Sequence, residues 1–178
     1  MSDISVRVLG EDEWEQYRSV RINALEESPE AFVASADEER AYDEDFWRTR
    51  MRRSQRLLAE RDGSPVGVAS VGQARQEGEK ENAKVAELFG LWVAPAARGT
   101  GVATQLVQAG ADAARQQGRS HLAYWVGADN GRAVAFASGF GFRPTDSRRP
   151  MRVKGSEDDE DEVAMVLPLG EDRGTPNL

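Results

Sequence analysis

Apolar and polar residues recur along the chain with two periods, and each period predicts a type of element. Residues 4–9 alternate apolar and polar side chains, as in a half-buried strand, and residues 14–25 follow helical spacing. The helical pattern stops at Ser28-Pro29, where proline disfavours a continued helix. Acidic residues 43–45 predict the capped start of a second helix. The chain therefore opens with a strand and two helices.

Three strand patterns occupy the middle of the chain. Residues 56–61 and 66–73 lie on either side of Asp62-Gly63-Ser64-Pro65, a combination typical of a hairpin turn. The polar residues 76–82 predict a solvated loop, and the apolar series at 84–94 predicts a long strand.

The second half of the chain alternates helices and strands. The predicted elements are a helix from Gly101 to a stop at Gly118, a strand at 122–126, a helix at 131–138, a turn at 139–144 and a strand at 163–169. Residues 171–178 are polar and predict a frayed tail. Strands in succession with helices between them predict an α+β fold with a mixed sheet, in one domain over residues 1–170.

Composition narrows the chemistry. The 178 residues include no cysteine and one histidine, which excludes disulfides and a protein thioester and predicts no metal site. The formal net charge of −8 argues against nucleic-acid binding and favours a cationic partner. Because no apolar run is long enough to cross a bilayer and no signal sequence opens the chain, we expect no membrane association and a cytoplasmic location.

A glycine loop between a strand and a helix carries the most chemical information. It reads Arg98-Gly99-Thr100-Gly101-Val102-Ala103-Thr104. Glycines let the backbone approach an anion closely, and the N–H groups at a helix N-terminus favour a pyrophosphate. A dinucleotide loop would need a third glycine at position 104, and a nucleotide P-loop would need Gly-Lys-Ser/Thr. The loop therefore predicts a different phosphorylated cofactor, with an ordinary turn as the alternative.

The same residues carry a family resemblance. Residues 98–103 fit the Gln/Arg-x-x-Gly-x-Gly/Ala signature of the GCN5-related N-acetyltransferases (GNAT), and residues 86–95 resemble the fourth strand of that family. The run at 130–133, followed by Gly141-Phe142, resembles the second motif of the family. The resemblance implies the GNAT fold, a mostly antiparallel central sheet splayed near its middle and flanked by helices. It also implies acetyl-CoA as cosubstrate.

The resemblance assigns cofactor-binding roles to further residues. The backbone of Leu91, Trp92 and Val93 would hydrogen-bond the pantetheine arm, and an N–H group near Val93 would stabilise the oxyanion. Asn130 matches the family's asparagine, whose side chain contacts the cofactor. An ordinary turn and helix cap is the alternative for Asn130.

Glu87 is the candidate general base. Acetyl transfer to an amine needs a free nitrogen lone pair, so a group must accept a proton. Glu87 lies eleven residues before Arg98, the same offset as the base in several family members. The alternatives are an anchor for the substrate's ammonium group and an ordinary outward-facing residue.

One position departs from the family pattern. Many members have a tyrosine seven residues after the asparagine, where its hydroxyl protonates the departing thiolate, but this chain has Ala137. Ser138, Tyr124 and water are the alternatives for this acid. The departure also leaves open a protein that binds acetyl-CoA without efficient transfer.

The sequence thus predicts an N-acetyltransferase that moves an acetyl group from acetyl-CoA to a primary amine by direct attack in a ternary complex. A small-molecule amine is the first choice of acceptor, and a protein N-terminus or lysine is the second. A non-catalytic acetyl-CoA-binding domain is the competing class, and a longer acyl group or a hydroxyl acceptor is a third option. Residues 25–46 would line the acceptor site. A homodimer is left open.

A run of arginines at 48–56 invites a second interpretation. In isolation it resembles a nucleic-acid patch. On an acidic domain we expect a solvated helix face with acidic partners nearby.

Overall fold

The computed structural model describes residues 3–76, 80–150, 161–176 and 178. Within these residues the chain forms five α-helices and seven strands. The helices are α1 (Trp14–Glu27), α2 (Ala36–Arg40), α3 (Glu44–Arg53), α4 (Val102–Gln116) and α5 (Gly131–Phe140). The strands are β1 (Ile4–Val8), β2 (Gln55–Arg61), β3 (Ser64–Gln76), β4 (Lys80–Val93), β5 (His121–Gly127), β6 (Arg143–Pro150) and β7 (Asp161–Pro168).

The strands lie in the order β1-β2-β3-β4-β5-β7-β6. Antiparallel pairing joins β1 to β2, β2 to β3, β5 to β7 and β6 to β7, whereas β4 and β5 are parallel. Helix α4 lies between the two parallel strands in the chain, as a parallel connection requires. This mostly antiparallel sheet with helices confirms the predicted fold class.

Contacts group the chain into two compact units. The first contains Met1–Val71 and Gly90–Gly110, and the second contains Gly72–Phe89 and Ala111–Leu178. Strands β3 and β4 and helix α4 contribute residues to both units. The single domain over residues 1–170 stays a prediction.

The core of the first unit forms where helices α1 and α3 bury their apolar faces. Its members include Tyr17 and Leu25 on α1, Trp47 on α3, Leu58 on β2 and Val68 on β3. Trp47 is fully buried, and its ring meets that of Tyr17 edge to face with the centroids 6.1 Å apart. Because each such side chain contributes roughly 1.5–3 kcal/mol when buried, these contacts anchor the two helices.

Helix α3 begins where the acidic run predicts. The Asp43 carboxylate accepts a hydrogen bond from the Phe46 N–H at 3.0 Å, which caps the helix. Glu44 and Asp45 occupy the first turn, where the helix dipole favours negative charge. The predicted second helix is confirmed.

The arginines at 48–56 fall into two environments. Arg48 and Arg52 pair with acidic residues that precede α1, as expected for a solvated face. Arg50 instead contacts the buried carboxylate of Glu39, and Arg56 is only 5% exposed. The prediction is therefore wrong for Arg56, which lies on β2 and has buried acceptors. Arg50 has the acidic partner that was predicted, although its side chain is only 20% exposed.

The second unit has a separate apolar cluster. Ala74, Val85, Ala123 and Val166 are its buried members, and Leu178 packs against them. Residues 171–176 form no helix or strand.

The hairpin between β2 and β3 is tighter than predicted. Only Asp62 and Gly63 lie in the turn, with φ angles of 53° and 78°. Two consecutive residues with positive φ close a two-residue hairpin, so Ser64 and Pro65 already belong to β3.

Two strands extend into segments predicted as loop or turn. The loop predicted at 76–82 is shorter, because β3 reaches Gln76 and β4 begins at Lys80, and residues 77–79 lie outside the described residues. The turn predicted at 139–144 is also wrong in part, since α5 continues to Phe140 and β6 begins at Arg143. The polar, proline-containing β6 lies at the sheet edge, where proline is tolerated.

In the described part of the chain, every helix is too short or too polar to cross a bilayer.

Candidate functional site

The glycine loop lies in the first unit, between the end of β4 and the start of α4. Gly99 and Gly101 have φ angles of 79° and 92°, in the left-handed region that favours glycine. A Cβ atom built on either residue would meet no heavy atom within 4 Å. The glycines are therefore required by the shape of the backbone, and the space beside the loop is open to a ligand.

The loop presents backbone donors at the start of α4. The Gln105 N–H donates to the Gly101 carbonyl at 3.1 Å and closes the first turn of the helix. The N–H groups of Val102, Ala103 and Thr104 precede this bond and have no acceptor within the helix. Free amides at the positive end of a helix form an anion site, so the loop fits a pyrophosphate.

The Arg98 side chain folds back onto the protein. Its Nε donates to the carbonyl oxygen of Val93 at 3.0 Å, and its Nη2 donates to the Ser28 hydroxyl at 3.3 Å. The indole Nε1 of Trp92 donates to the same hydroxyl at 3.3 Å. Ser28, which the sequence marks only as a helix end, thus joins α1 to the end of β4 and to the loop.

Thr100 stabilises the turn from within. Its hydroxyl donates to the Ala97 carbonyl and accepts from Nη2 of Arg61 at 3.1 Å. The Thr100 hydroxyl therefore stabilises the loop.

Gly67 on β3 allows a close approach that the sequence did not identify. A Cβ atom there would lie 2.9 Å from the Trp92 carbonyl oxygen, 2.9 Å from Val102 Cγ1 and 3.0 Å from Leu106 Cδ1. The lack of a side chain lets β3 pass against the end of β4 and the start of α4. A glycine inside a strand pattern is the signal that could have revealed it.

The first unit also contains a cleft of about 480 Å³. Its lining includes Arg18 and Asn23 on α1, Arg40, Pro65 and Trp92. The segment 25–46, predicted to line the acceptor site, contributes only part of this wall.

Glu87 lies in the second unit, on β4. It stands opposite Ala123 in the parallel pairing of β4 with β5. The parallel pairing ends at Leu88 and Tyr124, whereas β5 continues to Gly127.

The carboxylate of Glu87 is part of a mixed charge cluster. Nη1 of Arg149 lies 3.7 Å from Glu87 Oε1, and Nε of Arg149 lies 3.0 Å from Glu162 Oε1. The Arg149 guanidinium also lies over the ring of Trp125, with Cζ 4.3 Å from the centroid. Arg149 and Trp125 were not identified from the sequence.

Tyr124 faces the opposite side of the sheet from Glu87, since side chains alternate along a strand. Its ring meets Phe142 with the centroids 6.2 Å apart. Burial raises the pKa of Tyr124, and the negative charge of Glu162 adds to this effect. Ala137 is 1% exposed within α5, whereas Ser138 is exposed. Of the two protein candidates for the missing acid, the tyrosine is the one enclosed by the fold.

Asn130 caps helix α5. Its Oδ1 accepts from the Ala133 N–H at 3.1 Å, which is the structural role left open in the sequence. The cap uses only the carbonyl oxygen of the side chain.

The predicted site residues are thus divided between the two units. Residues 91–93 and 98–104 form one strand, turn and helix start in the first unit. Glu87 and Asn130 lie in the second. Among the described residues, no group of three or more His, Cys, Asp or Glu side chains is arranged to hold a metal ion.

Comparison with known proteins identifies the class. The model of the acetyltransferase (GNAT) family matches residues 12–142. The structure of yncA from Salmonella typhimurium with its cofactor acetyl-CoA has a TM-score of 0.69 and 20% identity over 96% of each chain. The ribosomal-protein-alanine N-acetyltransferase from Brucella melitensis has a TM-score of 0.67 and 22% identity, over 92% of this chain and 99% of that chain.

An uncharacterized N-acetyltransferase of Methanocaldococcus jannaschii is 31% identical over 86 residues, which are 48% of this chain. The match spans 38% of that curated relative's length. The chain belongs to the acetyltransferase (GNAT) family, as its 98–103 motif predicts.

Proposed function

We propose that the protein transfers an acetyl group from acetyl-CoA to a primary amine. The observation that carries this proposal is the open loop of Gly99 and Gly101 in front of the first backbone amides of α4. Acetyl-CoA supplies the activated acetyl group as a thioester. The family's fold and the end of the β4–β5 pairing at Leu88 and Tyr124 support the same assignment.

The cofactor would be held along one continuous segment. The N–H groups of residues 99–104 would receive the pyrophosphate, and the backbone of Leu91, Trp92 and Val93 would receive the pantetheine arm. Arg98 would act by fixing the loop, because its guanidinium is engaged with Val93 and Ser28. Asn130 would contribute its side-chain amide while capping α5.

Glu87 would prepare the acceptor for attack. Its carboxylate takes a proton from the substrate's ammonium group, directly or through water, and frees the nitrogen lone pair. The nitrogen then bonds to the acetyl carbonyl carbon while the carbon–sulfur bond breaks. The N–H of Val93 donates to the carbonyl oxygen as charge develops there. The departing sulfur takes a proton, and the amine's remaining excess proton leaves to solvent.

We favour a small-molecule amine as acceptor, with a protein amine second. The net charge of −8 supports a cationic acceptor. The Brucella protein is named for acting on ribosomal-protein alanine, and this name supports a protein amine as the second choice of acceptor. The cytoplasmic location and a homodimer stay predictions from the sequence.

Release of free thiol from acetyl-CoA tests this function. The protein is incubated with acetyl-CoA and a panel of amines, and Glu87→Gln is compared with Glu15→Gln, a change at an exposed carboxylate on α1. We expect Glu87→Gln to reduce turnover at neutral pH far more than it weakens acetyl-CoA binding, while Glu15→Gln retains activity. No thiol release with any amine would contradict an enzymatic function.

A non-catalytic acetyl-CoA-binding protein is the second candidate, favoured by the buried Ala137 in place of the family's acid. For such a protein, saturating acetyl-CoA would raise the melting temperature without any thiol release. If acetyl-CoA gave no stabilisation, neither candidate would stand.

A further inference from the structure

Three groups in the second unit converge on one guanidinium. Glu87 and Glu162 approach the nitrogens of Arg149 at 3.7 Å and 3.0 Å, and the face of Trp125 lies beneath its Cζ at 4.3 Å. Two carboxylates and an aromatic face are also the groups that recognise a ligand's ammonium ion. We call Glu87, Trp125 and Glu162 the cation subsite.

Strand register places the cation subsite on one face of the sheet. Glu87 stands opposite Ala123, which is two residues before Trp125 on the same face of β5. Glu162 stands opposite Arg149 in the β6–β7 pairing. The neighbouring Arg148 pairs with Val163 and faces the other side.

The cation in this subsite is open to exchange. The Arg149 side chain is 34% exposed, and those of Glu87 and Glu162 are 20% and 18% exposed. Ion pairs that water can reach are weak, so a ligand cation can replace the guanidinium at little cost. Without Arg149, the subsite would carry two negative charges beside an aromatic ring.

We propose that Arg149 occupies the position of the acceptor's ammonium group, and that the acceptor displaces it from Glu87. This inference rests on the proposed function and makes the preferred acceptor an amine that is cationic at neutral pH. Glu162 and Trp125 hold the ammonium ion beside the carboxylate that takes its proton. Arg149 offsets one of the two negative charges of the subsite until an acceptor arrives.

Replacement of the internal cation tests the displacement. Arg149→Met keeps a long apolar side chain and removes the charge, and Arg148→Met is the matched control on the same strand. We expect Arg149→Met to lower KM for butylamine about two- to fivefold, the range of a weak ion pair, and Arg148→Met to leave it unchanged. A purely structural role for Arg149 would raise KM or leave it unchanged, and either result would overturn the proposal.

The charge of the acceptor provides the second test. Aniline is uncharged at neutral pH, so it does not compete for a cation subsite. We expect Glu162→Gln and Trp125→Leu each to raise KM for butylamine about two- to fivefold and to leave KM for aniline unchanged. Equal changes for both amines would show a structural effect and overturn the proposal.

A binding measurement separates this inference from the proposed function. If the unaltered protein releases no thiol with any amine, the proposed function fails. In that case, calorimetric titration in the presence of coenzyme A still measures the affinity for butylamine in the unaltered protein and in Arg149→Met. Tighter binding by the variant supports displacement, and equal or weaker binding overturns it.

Discussion

Arg98 donates a hydrogen bond of 3.0 Å from its Nε to the main-chain carbonyl of Val93. This contact turns the guanidinium toward the strand that precedes the glycine loop. The arginine of the family motif therefore braces the loop, and we expect the backbone amides at the start of α4 to receive the pyrophosphate. Its second bond, to the Ser28 hydroxyl, extends the brace to α1.

Loss of this brace should weaken cofactor binding. Arg98→Ala removes both hydrogen bonds, and bonds to charged donors contribute about 1.5–3 kcal/mol each. We expect KM for acetyl-CoA to rise about tenfold, with a smaller change in kcat, as measured by thiol release. Arg173→Ala, at an exposed arginine in the C-terminal segment, should leave both constants unchanged. An unchanged KM for acetyl-CoA in Arg98→Ala would contradict this role of Arg98.

A methyl group at position 67 should disturb the same loop through packing. In Gly67→Ala the new Cβ would lie 2.9 Å from the Trp92 carbonyl oxygen, which cannot move as a side chain can. Overpacking of this kind costs about 1–3 kcal/mol, so we expect a lower urea midpoint and a higher KM for acetyl-CoA. Gly139→Ala is the control, because nothing lies within 4 Å of its Cβ and alanine favours a helix interior. Gly67→Ala with normal stability would contradict the close approach.

The buried carboxylate of Glu39 should be a main contributor to stability in the first unit. It is 1% exposed and receives Nε of Arg21 at 3.0 Å and Nη1 of Arg50 at 2.9 Å. Removing one partner of a buried ion pair costs about 3–5 kcal/mol, so Glu39→Gln should lower the free energy of unfolding by about 3 kcal/mol. Glu38→Gln, at the exposed neighbouring residue, should change it little. Equal urea midpoints for the two variants would refute this role.

The same residue predicts how stability depends on pH. Burial raises the pKa of Glu39, but hydrogen bonds from Arg50 and Arg21 outweigh this effect and hold the pKa below its ordinary value of 4.5. A lowered carboxyl pKa contributes stability that is present above the ordinary value and is lost as pH falls toward the folded value. Urea unfolding below about pH 4.5 should therefore show a smaller acid-induced loss of stability in Glu39→Gln than in the unaltered protein. Parallel pH profiles would contradict the shift.

Tyr124 is our candidate for the acid that protonates the leaving sulfur. Burial raises the pKa of its hydroxyl, so the proton is retained at neutral pH. Tyr124→Phe should lower kcat about tenfold, with little change in KM for acetyl-CoA. This loss is smaller than removal of a general acid usually causes, because a thiolate is a fair leaving group. Ser138→Ala, at the exposed second candidate for this acid, should leave kcat unchanged. An unchanged kcat in Tyr124→Phe would leave water as the proton source.

Much of the fold follows from local pattern. Alternating side chains predicted β1, helical spacing predicted α1, and the acidic run predicted the cap of α3 at Asp43. These signals depend on neighbours in the chain, so a single sequence contains them. β6 was not predicted because its sequence is polar, contains two prolines and shows no alternation of apolar and polar residues. An edge strand can form without that alternation.

The candidate site likewise contains residues that the sequence could identify and residues that it could not. The glycine motif, Glu87 and Asn130 could be named from residue type and spacing, although their roles stay predictions. Ser28 could not, because it reaches Arg98 from seventy positions away in the chain. The contact of Arg149 with Glu87 likewise has no local signal.

The sequence by itself determined the family, the order of most elements and the glycine loop, because each is encoded in short-range spacing. Only the tertiary structure decided that β7 lies between β5 and β6, which brings Glu162 and Arg149 together and places Arg149 over the ring of Trp125. It also decided that Arg50 pairs with the buried carboxylate of Glu39 and that Arg56 is buried. The physical reason is that a charged side chain acquires its partners from distant strands and helices, and the chain's local pattern does not specify which of these will meet.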